Sequence, residues 1–226
     1  MGSLAISRLE ALLQTRRLDR TVARSTEAPE ARPVASTGLS AVDLQLSGGW
    51  RLGEISEIVG TRSSGRTSVL LSTLAAATAR GELVALVDVV DRLDVNTASA
   101  AGVDLARVLW VRGPSLTIEL SRPALVDHAV RQAVRAFDLI LRAGGFGVVA
   151  LDLADVPPRA FAPLPWATWM RLAHANEGRP TAGVLVGQAP MGRSARGVTL
   201  ALESTRRWTG DSLQARRFAG WDLTHG

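Results

Sequence analysis

Lysine is absent from this 226-residue chain, and all 26 of its basic residues are arginine. Cysteine and tyrosine are absent too. Without cysteine there are no disulfides, thiolate nucleophiles, iron–sulfur clusters or cysteine zinc sites. The three histidines, His128, His174 and His225, lie far apart in sequence. That spacing argues against a histidine-built centre, and no metal site is expected. No apolar run is long enough to span a bilayer. Arg8 and Glu10 interrupt the only stretch that resembles an export signal, and Ile6 stands where N-myristoylation needs Ser or Thr. The expectation is a cytoplasmic protein without a membrane partner. The net charge of +5 permits an anionic partner without requiring one.

What is present reads in two parts. Over residues 3–20, Ile6, Leu9 and Leu13 recur at helical spacing with Leu12 beside them, while the arginines fall mostly elsewhere. A stretch rich in Pro, Ala and charge, RSTEAPEARPVAS, follows and reads as a linker. The expected division is therefore an N-terminal amphipathic helix and linker over 1–35 and a core domain over 36–226. The helix either folds back on its own core or docks on another protein, and the linker permits both.

The core alternates apolar strands with helices. The pattern predicts strands over Glu54–Val59, Leu83–Asp88, Val108–Val111, Gly147–Asp152, Ala182–Gly187, Val198–Glu203 and Arg216–Trp221. It predicts helices over Arg66–Arg80, Leu93–Ala101, Pro123–Arg142 and Trp166–Asn176. Continuous apolar strands between helices mean a mostly parallel sheet covered on both faces, an α/β fold.

The first core strand and helix are joined by Gly60-Thr61-Arg62-Ser63-Ser64-Gly65-Arg66-Thr67. This is a phosphate-loop pattern with Arg66 where the lysine belongs. A strand, a glycine loop and a helix N-terminus together favour an anion. Thr67 and Asp152 are placed to support Mg²⁺. Arginine is longer and forked, so the exchange is not conservative in a tight phosphate cradle. Two explanations stand: a relic loop, or a chain that avoids lysine and still grips phosphate.

Beyond the loop, Ser36-Thr37-Gly38, Asp43, Gly48-Gly49, Gly53 and Glu57-Ile58 precede it in order. Leu86-Val87-Asp88, Leu93-Asp94 and Gly102-Val103-Asp104 follow it. In this order and spacing they resemble the bacterial RecA core over roughly residues 36–207. The resemblance implies a RecA-like P-loop core. It implies nucleotide-binding positions at Gly60, Ser63, Ser64, Gly65, Arg66, Thr67 and Asp152. It also implies a γ-phosphate-sensing role for Gln188. The family's catalytic Glu falls at Val90, and its adenine-stacking aromatic falls at Thr97. Valine can neither take a proton nor orient water, so no catalytic residue is assigned. The nucleotide site reads as vestigial, with no firmly held cofactor and only weak affinity for ATP and magnesium. Asp91, next to Val90, would point to the other face if it lay on a strand. For DNA, Arg193 and Arg196 are candidate phosphate contacts and Trp166 and Trp169 candidate stacking rings. Against this stands the reading that the tryptophans pack against the sheet and the arginines are solvated.

Among RecA-like families, a short, degenerate core behind an N-terminal helix is similar to ImuA. That similarity implies an accessory role in SOS-induced mutagenic translesion synthesis. Its partners would be ImuB, an error-prone C-family polymerase and RecA, with weak DNA binding and possible self-association. The helix face of Ile6, Leu9, Leu12 and Leu13 would make the docking contact. An active DNA-dependent RecA-family ATPase and a SulA-like division inhibitor are the alternative readings.

Overall fold

The computed structural model describes residues 33–115, 122–191, 197–209 and 217–225, with side chains described up to 203. All of these belong to one unit, Pro33–Gly226. The N-terminal helix expected around Ile6, Leu9, Leu12 and Leu13 lies outside the described residues, as do Arg193 and Arg196.

The chain enters through a two-stranded antiparallel ladder, β1 (Val34–Ala35) with β2 (Trp50–Arg51). A short helix, α1 (Ser40–Gln45), lies between them. Asp43 ties this entry together. Its carboxylate accepts from Ser36 Oγ at 2.6 Å, Thr37 N at 2.8 Å and Thr37 Oγ1 at 2.7 Å. The Ser-Thr-Gly…Asp signature is thus a local turn clamp. Gly49 is obligatory because a Cβ there would lie 2.1 Å from the Ala35 carbonyl oxygen across the ladder. Trp50 is fully buried and donates from Nε1 to Thr73 Oγ1 at 3.1 Å, which pins the ladder to the following helix.

The main sheet has seven strands in the order β5-β4-β6-β7-β3-β8-β9. They are β3 (Ile55–Gly60), β4 (Val84–Asp88), β5 (Val108–Arg112), β6 (Val148–Asp152), β7 (Ala182–Gly187), β8 (Thr199–Thr209) and β9 (Arg217–His225). The first six in spatial order are parallel, and β9 runs antiparallel on β8. The helices are α2 (Arg66–Ala79), α3 (Val95–Ala100), α4 (Pro123–Ala143) and α5 (Trp166–Asn176). Single 3₁₀ turns at Leu105–Arg107 and Pro158–Ala160 complete the connections.

The two faces of the sheet sort by the two-residue strand period. Val84, Leu86, Val148, Ala150, Val184 and Val186 pack on the α2 side with Leu70 and Leu74. Ala85, Val87, Val149, Leu151 and Leu185 pack on the opposite side with Phe137 and Leu141 of α4 and Leu172 of α5. Burial on both faces explains why β4, β6 and β7 read as continuous apolar runs. Helix α4 is the clearest amphipathic element. Val126, Ala129, Val130, Ala133, Val134, Phe137, Ile140 and Leu141 are buried at helical spacing. Pro123 opens it where a missing N–H is harmless. Truncating fully buried Phe137 to Ala would cost about 3–5 kcal/mol.

The architecture is the expected mostly parallel α/β sheet flanked by helices. Three details differ from the sequence reading. Helix α1 and the β1–β2 ladder carry too few residues to show a period. Strand β8 runs on to Thr209, well past Glu203, because β9 supplies a partner for its second half. Strand β4 stops at Asp88, so Val90 and Asp91 lie in a turn and alternation along the strand does not govern them. Asp91 has a φ of +58° and pairs with Arg112 through two 2.8 Å hydrogen bonds.

Candidate functional site

Strands β4, β6, β7 and β3 are neighbours, and the segments leaving their C-terminal ends converge. Ligands of open α/β sheets bind at that edge. Here the convergence lines a cavity of about 590 Å³. Its wall includes Ser63, Arg66 and Thr67 of the glycine loop and α2, Val90 and Thr97 beyond β4, and Asp152 and Asp155 at the end of β6. Sequence positions up to 93 residues apart thereby meet.

The glycine loop has the geometry of an anion cradle. Ser63 has a φ of +63° and Gly65 a φ of +94°, with Ser64 between them on the ordinary negative side. Alternation of this kind turns successive backbone N–H groups toward one point, and α2 begins immediately after. Gly65 is the N-cap of α2 in the left-handed region, which only glycine adopts freely. Ser64 is buried, and its Oγ has no hydrogen-bond partner among the described residues.

Arg66 does not reach along the loop as a lysine would. It is buried, and its Nη1 donates to the Ala154 carbonyl at 3.5 Å. Gln188 Nε2 donates to the same carbonyl at 3.2 Å. One backbone oxygen after β6 therefore links the first residue of α2 to the residue that follows β7. Burial lowers the Arg66 pKa, opposed by the negative charges of Asp152 and Asp155.

Asp152 accepts from the Ala154 N–H at 2.8 Å. Burial first, and then the nearby charges of Asp88 and Asp155, raise its pKa to about 6, against the lowering effects of that hydrogen bond and of Arg66. Asp88 is buried and saturated. Its carboxylate accepts from Arg92 N at 2.9 and 2.8 Å, Leu93 N at 2.8 Å and Trp110 Nε1 at 3.3 Å. Asp94 caps α3, accepting from Asn96 N and the Thr97 hydroxyl, and these bonds hold it below the usual carboxylate range. Asp155 sits between Arg62 and Arg92 at 3.4 and 3.9 Å.

The cavity suits phosphate better than a base. The backbone cradle, the helix N-terminus and Arg66 all favour an anion. The Thr67 hydroxyl and Asp152 are the groups that would hold a divalent cation beside it, and both line the cavity. At the far end Leu93 and Thr97 offer no ring for stacking.

The structure brings Ser63, Arg66, Thr67 and Asp152 together on one cavity wall. Gly60, Ser64 and Gly65 shape the loop, and Gln188 joins through Ala154. It separates the two tryptophans. Trp169 is 7% exposed and packs in the α4–α5 core. It has no face to offer a base, which corrects its assignment as a stacking ring. Trp166 is 59% exposed at the start of α5. The sequence reading missed Arg62, Arg92 and Asp155. Their signal was the paired strand ends Asp88 and Asp152, whose register carries the residues that follow them to one place.

A parallel sheet whose first long strand delivers a positive-φ glycine loop to a helix N-terminus, with an acid at the end of a neighbouring strand, defines a P-loop α/β protein. Comparison with known proteins places it further. The family model for the RecA N-terminal domain matches residues 20–160, and the chain belongs to that family. It is 32% identical over 136 residues to Protein RecA of Desulfotalea psychrophila, a match covering 59% of this chain and 34% of that protein. To Protein RecA of Streptomyces venezuelae it is 35% identical over 129 residues, 56% of this chain and 30% of that protein. To Protein RecA of a Nostoc species it is 34% identical over 126 residues, 55% of this chain and 31% of that protein. The matches span about a third of the length of these relatives. Among the described residues no helix is long and apolar enough to cross a membrane.

Proposed function

We propose that this chain is a non-hydrolysing, ImuA-like RecA-family accessory protein. In this reading it binds nucleotide weakly, docks on RecA through its N-terminal helix, and scaffolds ImuB and an error-prone C-family polymerase during SOS-induced translesion synthesis. The observation that supports loss of hydrolysis is Val90, 3% exposed on the cavity wall where the resemblance to RecA puts a catalytic glutamate. The carboxylates that do line the cavity have other work. Asp94 caps a helix, Asp155 faces two arginines, and Asp152 stands at the cation position. None of the three stands at the position where the resemblance puts the catalytic base. Thr67 and Asp152 on the same wall favour the second reading, a divergent active ATPase.

The deciding experiment measures ATP turnover by the purified chain with and without single-stranded DNA, beside an active RecA control. No turnover in either condition is expected. DNA-stimulated turnover would overturn the scaffold reading and establish the ATPase. The partner side is tested by co-sedimentation with RecA filaments. The double substitution Leu9→Asp with Leu13→Asp should abolish binding without altering the melting of the core, and retained binding would remove the docking helix from the account.

A further inference from the structure

Three arginines reach the cavity from three separate segments. Arg62 comes from the loop after β3, Arg66 from the first turn of α2, and Arg92 from the turn after β4. Asp155 stands between the outer two. One of its oxygens accepts from Arg62 Nη2 at 3.4 Å, and the other faces Arg92 Nε at 3.9 Å. Strong guanidinium–carboxylate bonds run at about 2.7–2.9 Å, so both contacts are loose. All three side chains keep solvent access, at 80% for Arg62, 38% for Arg92 and 27% for Asp155. Long, hydrated pairs of this kind exchange partners readily.

The third arginine is different. Arg66 is 6% exposed and carries five N–H donors. Its one hydrogen bond among the described residues is the 3.5 Å contact to the Ala154 carbonyl. A buried guanidinium with most donors unused, lining a cavity beside a backbone anion cradle, is a cation short of an anion. Asp152 and Asp155 both act on its charge, but among the described residues Arg66 makes no ion pair with either, and Asp155 is spread over the two outer arginines instead.

We propose that Asp155 is a built-in competitor for the anion. It holds Arg62 and Arg92 near the cavity until a polyphosphate chain takes both guanidiniums, with Arg66 beneath. The ligand class is a polyphosphate, either free or as the tail of a nucleoside triphosphate. This rests on the reading that the cavity still accepts phosphate, but not on the absence of hydrolysis. Removing Asp155 frees both outer arginines for the ligand. Lowering the salt strengthens ligand binding, because the exchanged charges are exposed.

The test measures binding of inorganic tripolyphosphate and of ATP by titration calorimetry to the full-length chain. Asp155→Asn is expected to bind both probes about tenfold more tightly than the natural chain, the effect of removing one competing charge at contact distance. Asp155→Ser provides a second variant of the same charge should the amide not be tolerated. The control is the pair Arg62→Gln with Arg92→Gln, in which Asp155→Asn is expected to change affinity by less than about twofold. An undiminished gain in that background would mean that Asp155 acts as diffuse charge alone, and would overturn the proposal. So would the absence of any gain in the natural background. ATP turnover is followed in the same samples. Turnover by the natural chain would remove the non-hydrolysing reading and leave this one intact. A missing gain without turnover would do the reverse.

Discussion

Asp88 and Asp152 stand directly opposite each other in the parallel register of β4 and β6. Two carboxylates side by side at the ends of buried strands are not equivalent here, because the backbone treats them differently. Asp88 accepts from the N–H groups of Arg92 and Leu93 and from the Trp110 indole. Asp152 gathers one N–H, from Ala154. Burial, with less backbone support to offset it, raises the Asp152 pKa to about 6.

The sign of the resulting pH dependence follows from that shift. Asp152 has a folded-state pKa above its ordinary 3.8. Its contribution to stability is fully present below the ordinary value and is lost as pH rises through about 6. Because its side chain also borders the cavity and keeps some hydration, the effect is on the order of 1 kcal/mol. Asp152→Asn should melt at a higher temperature than the natural chain at pH 7.5, with the gap narrowing below about pH 6 and closing toward about pH 4. A constant gap across that range would show that the carboxylate is not protonated in the folded state.

Glu57 joins the two ends of the β7–β8 connection. It is buried on β3, accepts from Met191 N at 3.0 Å, and accepts from Thr199 Oγ1 at 3.2 Å. Ser56 beside it accepts from Val198 N at 3.2 Å. Glu57→Ala removes a charged acceptor and leaves its donors unpaired, at a cost of about 2–3 kcal/mol. Hydrogen exchange should accelerate at Met191, whose amide loses its acceptor, more than at Leu86 or Ala150 in the sheet interior. Uniform acceleration would reduce Glu57 to a general stability role.

The tryptophans of α5 give a direct reading of burial against exposure. Trp169→Ala should destabilise by about 3–5 kcal/mol, because its ring fills the α4–α5 core. Trp166→Ala should fall within about 0.5 kcal/mol of the natural chain, as exposed positions do. If single-stranded DNA meets this end of α5, it will quench the natural chain's fluorescence, and Trp166→Phe will abolish the change. Quenching that survives Trp166→Phe would place the contact elsewhere.

The alternation of apolar strands with α2, α4 and α5 was legible because each element is long enough to show its period and is bounded by Gly, Pro or an acid. The ends of Trp166–Asn176 and Ala182–Gly187 came out as read. The phosphate loop was legible from spacing alone. What could not be read was the fate of Arg66. Its charge pointed to phosphate, whereas its length and burial turn it to the Ala154 carbonyl. The Arg62–Asp155–Arg92 contact was hidden for a different reason. Its members belong to three loops, and only the strand register brings them together. Trp169 and Trp166 share a spacing that fits a helix face or a stacking pair equally well, and only the packing of α4 on α5 separates them.

If Val90 and Arg66 are what separate this cavity from a working one, restoring both should restore turnover. Val90 borders the cavity but is 3% exposed, so a carboxylate there is placed at the edge of the core. Val90→Glu should lower the melting temperature, at a cost of at least about 3 kcal/mol for a carboxylate at a buried position, so folding of the variant is checked by its melting curve first. Arg66→Lys replaces a fork by a point charge and releases the Ala154 carbonyl to Gln188 alone. General-base positioning contributes about 10²–10⁴ in rate, so single-turnover ATP hydrolysis by the double variant should rise by at least tenfold over either single variant. Arg66→Lys alone should tighten ATP binding without turnover. If the double variant binds ATP and still fails to hydrolyse it, the defect lies in the shape of the loop between Gly60 and Thr67, not in the two side chains.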